Sequence, residues 1–206
     1  MGFLKNSVSF TRYQILDDLP RNFTAELPDK LRQFAFKDID DLPQERAWGW
    51  VCFENMLDAE WRESGPQKGA DHLAFSLRLD TRRVPPAVLK KHFALALREE
   101  EGRIRAQGKS YVSRERRKEI RERVLFELNR RFLPIPAEFQ VIWNLSSRRL
   151  FIATISNKAL DLFEEYFLHS FGLRLERLTP YGLAAAMLQE KELDRLNVLE
   201  PTNFRK

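Results

Sequence analysis

The sequence predicts an α+β fold: antiparallel or mixed sheets packed with helices, with a basic helical hairpin protruding from them. Three observations carry this reading. Segments of alternating apolar residues are interspersed with segments of helical period, without the regular strand–helix–strand rhythm of a parallel sheet. The two longest helical patterns follow one another between Pro86 and Phe132. The second of them opens on Arg114 to Glu119, which contains no apolar residue. A helix end that is polar on every side has nothing to pack and should project into solvent.

Taken in order, Val8 to Leu16 alternates loosely and reads as a strand. Asp17-Asp18-Leu19-Pro20 signals a helix start. Phe23, Leu27, Leu31 and Phe34 follow at helical spacing, with Pro28 expected to kink or shorten the element. Trp48 to Phe53 is a short aromatic strand, and core packing is the favoured role for Trp48, Trp50 and Trp143. Glu63 to Asp71, with Gly65-Pro66 and Gly69, reads as a loop. Leu73, Phe75, Leu77 and Leu79 predict a half-buried strand.

Pro85-Pro86 opens the first helix of the hairpin, with Val88, Leu89, Phe93, Ala96, Leu97 and Ile104 on one face and Gly102 and Gly108 loosening its end. The second runs from a Ser113 cap to Phe132, with Ile120, Val124, Leu125, Leu128 and Phe132 as its apolar stripe. Leu133-Pro134-Ile135-Pro136 stops it. Phe139 to Asn144 and Arg149 to Ile155 form a β-hairpin around Ser146-Ser147. A helix from Ser156 or Asn157 to His169 turns Leu160, Phe163, Phe167 and Leu168 inward. Leu173 to Leu178 suggests a strand, Leu183 to Leu188 a short helix after Thr179-Pro180, and the rest a polar, frayed tail. The chain divides along its length into 1–83, an α+β segment, 84–133, the basic hairpin, and 134–206, a ββαβ segment with its tail.

The 206 residues are 43% hydrophobic and 32% charged, a composition that excludes disordered, collagen-like and membrane-bundle classes. Cys52 stands alone and cannot form an internal disulfide, which points to a reducing compartment. No apolar run approaches the ~18–20 residues of a membrane span. The N-terminus lacks a signal-peptide core, and Asn6 breaks the myristoylation pattern that follows Met1-Gly2. A soluble cytoplasmic protein is expected.

The net charge of +5 is localised. From Arg98 to Arg131 there are 12 basic and 7 acidic residues, and the remainder of the chain is neutral. Arg103, Arg105, Lys109, Arg114, Arg116, Arg117, Lys118, Arg121 and Arg123 crowd the hairpin, the pattern of a local anion-binding surface. A solvated helix laced with ion pairs would show the same charge count. Tyr111 is the only aromatic among these residues. Single-strand surfaces interleave several aromatics for base stacking, so the scarcity favours duplex phosphates, contacted without reading sequence.

Catalytic chemistry is not specified. Gly102 to Ser110 resembles a P-loop but has five residues between its glycines instead of four, and it follows a helical segment rather than a strand. No lysine has Asp or Glu two positions before it, as one common nuclease pattern requires. His72, His92 and His169 match no zinc spacing. Cys52 reads as buried and inert, and Asp38, Asp40 and Asp41 as loop residues beside Pro43. No metal, no cofactor and no catalytic residue is predicted.

The order of elements resembles the RdgC family of bacterial recombination-associated proteins. The likeness is carried by Ser9-Phe10-Thr11-Arg12-Tyr13, Phe34-Ala35-Phe36, Gly49-Trp50-Val51 and Val84 to Lys90. It continues through Phe132-Leu133-Pro134, Trp143, Leu150 to Ile155 and Ser156-Asn157-Lys158-Ala159, spanning about Val8 to Pro180. The resemblance implies a nucleoid-associated protein that binds DNA, mainly duplex, without strong sequence preference and limits access of the RecA recombinase. It also implies a homodimer that closes a ring around duplex DNA. Family members usually carry a further C-terminal segment beyond the last matched strand, so ring, open dimer and monomer all stay open here. Two other function classes also remain: a metal-dependent DNA nuclease or processing enzyme, and a protein-interaction module whose basic hairpin docks on an acidic protein.

Overall fold

The computed structural model describes residues 2–106 and 111–200. Its elements are β1 (Thr11–Ile15), α1 (Phe23–Gln33), β2 (Arg46–Cys52), β3 (Gln67–Lys68), β4 (His72–Thr81), α2 (Pro86–Ala106) and α3 (Arg114–Asn129). Then follow β5 (Ile135–Asn144), β6 (Arg149–Ile152), α4 (Asn157–Phe171), β7 (Leu175–Arg177), α5 (Pro180–Met187) and α6 (Glu190–Asn197). The strands join in the order β2-β4-β5-β6-β1-β7, with β3 paired on β4. Helices beside an open sheet with antiparallel pairing make this the α+β class that the sequence predicts. Among the described residues, no helix is long and apolar enough to cross a membrane.

Contacts group the chain into two compact units that do not follow its order: residues 1–31, 64–75 and 139–206, and residues 32–63 and 76–138. In the first, register fixes which side chains are buried. Tyr13 lies opposite Leu150, and Leu150 opposite Trp143, all three fully buried. On the other face Arg12 lies opposite Phe151, and Phe151 opposite Ile142. α4 brings Phe163, Phe167 and Phe171, spaced one turn apart, onto this core. The Trp143 ring centroid is 5.4 Å from that of Phe167 and 5.0 Å from that of Phe23. Gly172, at φ 70°, ends α4 in the left-handed conformation glycine adopts without strain. The buried Tyr13 hydroxyl donates to Glu164 Oε1 at 2.6 Å, and Arg177 also holds Glu164 while pairing with Asp161 at 2.7 Å.

In the second unit, Arg78 and Asp80 of β4 form a bidentate ion pair at 2.7 and 2.8 Å, and the Arg78 guanidinium lies 4.1 Å from the centroid of the Phe36 ring. Arg82 donates to the carbonyls of Ile39 and Asp40, both at 2.6 Å, and to those of Leu42 and Gln44, which fastens the loop carrying Asp40 and Asp41. β2 runs against the segment after α1 through a parallel bridge between Ala35 and Trp50.

Several expectations are corrected. α1 includes Pro28, with Phe23, Leu27 and Leu31 buried along it, and ends at Gln33, so that Phe34 lies beyond the helix rather than on its face. The segment Glu63 to Asp71 is not wholly loop: Gln67 and Lys68 pair with β4 as a two-residue strand. β4 is buried on both faces from Leu73 to Arg78 rather than on one, as suits a strand inside the sheet order. β5 already begins at Ile135, β6 stops at Ile152 and β7 is only Leu175–Arg177. Leu168 is exposed, and Phe171 fills the core in its place. Trp50 and Trp143 are fully buried but Trp48 is exposed. The expected frayed tail contains α6, started by a reciprocal cap between Gln189 and Glu192.

Gly49 is a position where no side chain fits. A Cβ there would lie 2.3 Å from both Cα and N of Phe36, and backbone cannot yield as a flexible side chain does. Gly49→Ala should destabilise the protein by about 1–3 kcal/mol, read as a lower denaturant midpoint at unchanged slope.

Candidate nucleic-acid interface

The basic segment folds as two helices packed on each other. Ile120, Val124 and Leu128 of α3 are buried together with Val112 against Val88, Phe93, Leu97 and Ile104. Ser113 caps α3, its side chain accepting from the Arg116 N–H at 3.2 Å. α3 therefore covers most of the range that the apolar stripe predicts. Leu125 is only half-buried.

Glu100 lies on the packed side of α2, three residues after Leu97 and four before Ile104. Its side chain is only 10% exposed and accepts from Arg116 Nε at 2.7 Å. Arg103 approaches it at 3.9 Å and Arg123 adds its field. Arg116 also pairs with Glu119 at 2.8 Å. This clasp holds the Glu100 carboxyl below the usual carboxylate range, chiefly through the Arg116 hydrogen bond, and raises the Arg116 guanidinium in return. Arg116, expected as one of the cations of the anion-binding surface, is instead engaged by Glu100, a residue that the charge count does not single out. The available signal is a glutamate interrupting the apolar stripe of α2.

The predicted cations therefore fall into groups. Arg116 and Arg103 attend Glu100, and Lys118 is 3.8 Å from Glu122. Arg105, Arg114, Arg117 and Arg121 are exposed and have no ion pair among the described residues. Arg114, Arg117 and Arg121, with Lys118, recur at intervals of three and four and form one stripe of α3. Glu115, Glu119 and Glu122 recur likewise on a neighbouring stripe; Lys118 and Arg116 reach across to it, while among the described residues Arg114, Arg117 and Arg121 do not. Arg123 lines a groove of about 400 Å³ between α2 and α3, with His92, Glu99, Arg103, Glu127 and Arg131. Lys109 lies outside the described residues, as does the end of the P-loop-like stretch, whose Gly102 sits within α2. Tyr111 is 77% exposed beside this array.

Elsewhere, the Cys52 thiol is buried and donates to Glu54 Oε2 at 3.2 Å, and burial pushes its pKa up. His72 Nε2 is 3.0 Å from Asn144 Nδ2. Among the described residues, no three His, Cys, Asp or Glu side chains gather as a metal site.

The clasp makes the hairpin acid-sensitive. A carboxyl whose pKa is lower in the folded chain stabilises it fully above its unfolded value of about 4.3, and that stability is lost as pH falls through the lowered value. Thermal midpoints should show Glu100→Gln less stable than the parent near neutral pH, with the gap narrowing in acid.

No curated protein matches the chain as a relative. A family model does match, over residues 3–189, with the description "Putative exonuclease, RdgC". That match takes in both units and the whole described hairpin, and this chain belongs to the RdgC family.

Proposed function

We propose that the protein binds duplex DNA without sequence preference through the exposed stripe of α3 and modulates recombination by limiting access of RecA to DNA. The observation that carries this reading is the row Arg114, Arg117 and Arg121: three exposed guanidinium groups on one rigid stripe, without ion pairs among the described residues. Guanidinium groups spaced along a helix suit phosphate oxygens, and such contacts position a protein without reading bases. Arg105, Lys109, Lys118 and Arg123 extend the basic surface, while Arg116 acts by ordering the hairpin. The RecA link, a homodimeric assembly and nucleoid association in the cytoplasm come from the family resemblance and are part of the proposal.

The family's description supports a second reading, an exonuclease. A labelled random-sequence duplex separates the two. Without divalent metal, log affinity should fall linearly with log salt, at a slope near −0.9 per phosphate contact. Arg114→Glu/Arg117→Glu/Arg121→Glu should weaken binding across all sequences and reduce that slope by about three. Parent affinity in this variant would refute the site. Shortening of the duplex on adding Mg²⁺ or Mn²⁺, absent in chelator, would favour the nuclease.

A further inference from the structure

The side of β1 and β6 that faces away from the core differs in character from the hairpin. Strand alternation sends Tyr13, Ile15, Leu150 and Ile152 inward and leaves Arg12, Gln14, Arg149 and Phe151 on the opposite face. Phe10, just before β1, joins them: its ring centroid is 5.9 Å from that of Phe151, at 64°, and 6.0 Å from that of Phe3. Phe3 is itself tied down, its backbone N–H donating to Gln140 Oε1 at 2.7 Å. Phe10 is thus braced on two sides by aromatic rings yet remains 43% exposed.

Arg12 lies opposite Phe151 in the register, and Arg149 lies opposite Gln14. Both arginines are exposed and carry no ion pair among the described residues. The acid nearest in register on this face is Glu176 of β7, opposite Gln14. An exposed ring held on a rigid sheet beside two such guanidinium groups suits a ligand that alternates flat apolar faces with anions. An unpaired nucleic-acid strand has that chemistry, whereas a duplex keeps its bases stacked on one another and presents mainly phosphate.

We propose that the β1–β6 face binds an unpaired nucleic-acid strand, with Phe10 as the stacking position, braced by Phe3 and Phe151, and Arg12 and Arg149 as phosphate partners. The proposal rests on the nucleic-acid reading of this protein but uses residues of the other unit from the hairpin, so the two sites can fail separately.

The full chain should be titrated with labelled oligothymidylate and with a random duplex in metal-free buffer. Phe10→Leu keeps apolar bulk against Phe3 and Phe151 but removes the ring. It should weaken oligothymidylate binding about tenfold and leave the duplex unaffected. Arg12→Ala/Arg149→Ala, at exposed positions that leave the core intact, should do the same and decides the matter if Phe10→Leu alters thermal stability. Failure of the parent to bind oligothymidylate, parent-like affinity in the sheet variants, or equal losses for both probes would overturn the proposal. If the hairpin variant keeps its duplex affinity while the sheet variants lose the single strand, the hairpin reading falls and this one stands.

Discussion

A carboxylate drawn out of water between two helices must be met by a cation, or the helices separate around it. Glu100 imposes that constraint on the basic hairpin. It sits in line with Leu97 and Ile104, so packing α2 on α3 carries the charge inward, and Arg116 answers it from one turn before Ile120. The contact joins the apolar seam to the polar start of α3, where no apolar side chain is available to anchor the helix. Ser113 closes the same end by capping it.

The clasp also sorts the arginines. A segment with twelve cations and seven acids could be a solvated face of mutually satisfied charges, and part of it is: Arg103, Arg116 and Lys118 have acidic neighbours. What separates the rest is helical period. Arg114, Arg117 and Arg121 fall on one stripe and Glu115, Glu119 and Glu122 on a neighbouring one, which Lys118 and Arg116 reach and, among the described residues, those three do not. Substitutions aimed at DNA contact belong on the first stripe. Reversing Arg116 would damage the hairpin itself and confuse folding with binding.

Much of this was legible from the residues. The periodicity placed both hairpin helices, the β-hairpin around Ser146-Ser147 and the aromatic face of α4, because each is a local pattern with strong punctuation. The misses have physical reasons. Phe34 reads as the last apolar position of α1, but the helix ends at Gln33 and Phe34 belongs to the segment that bridges to β2. Gln67 and Lys68 become a strand only by pairing with Leu73 and His72 at the start of β4, and α6 depends on a cap between Gln189 and Glu192 within a polar stretch. The exchange of segments between the two units is long-range and leaves no local mark. Of the site, the cations were visible but their sorting was not. Glu100 stood among three consecutive glutamates, and only its spacing from Leu97 and Ile104 distinguished it. The face bearing Phe10, Arg12, Arg149 and Phe151 needed the β1–β6 register.

Residue-level footprinting tests the central claim most directly. Arginines of the full chain would be modified with a dicarbonyl reagent, with and without excess random-sequence duplex in metal-free, low-salt buffer, and quantified by mass spectrometry. Phosphate contact along α3 predicts strong protection of Arg114, Arg117 and Arg121 that fades as salt is raised. Unchanged modification of those three, under conditions where the duplex is demonstrably bound, would contradict it.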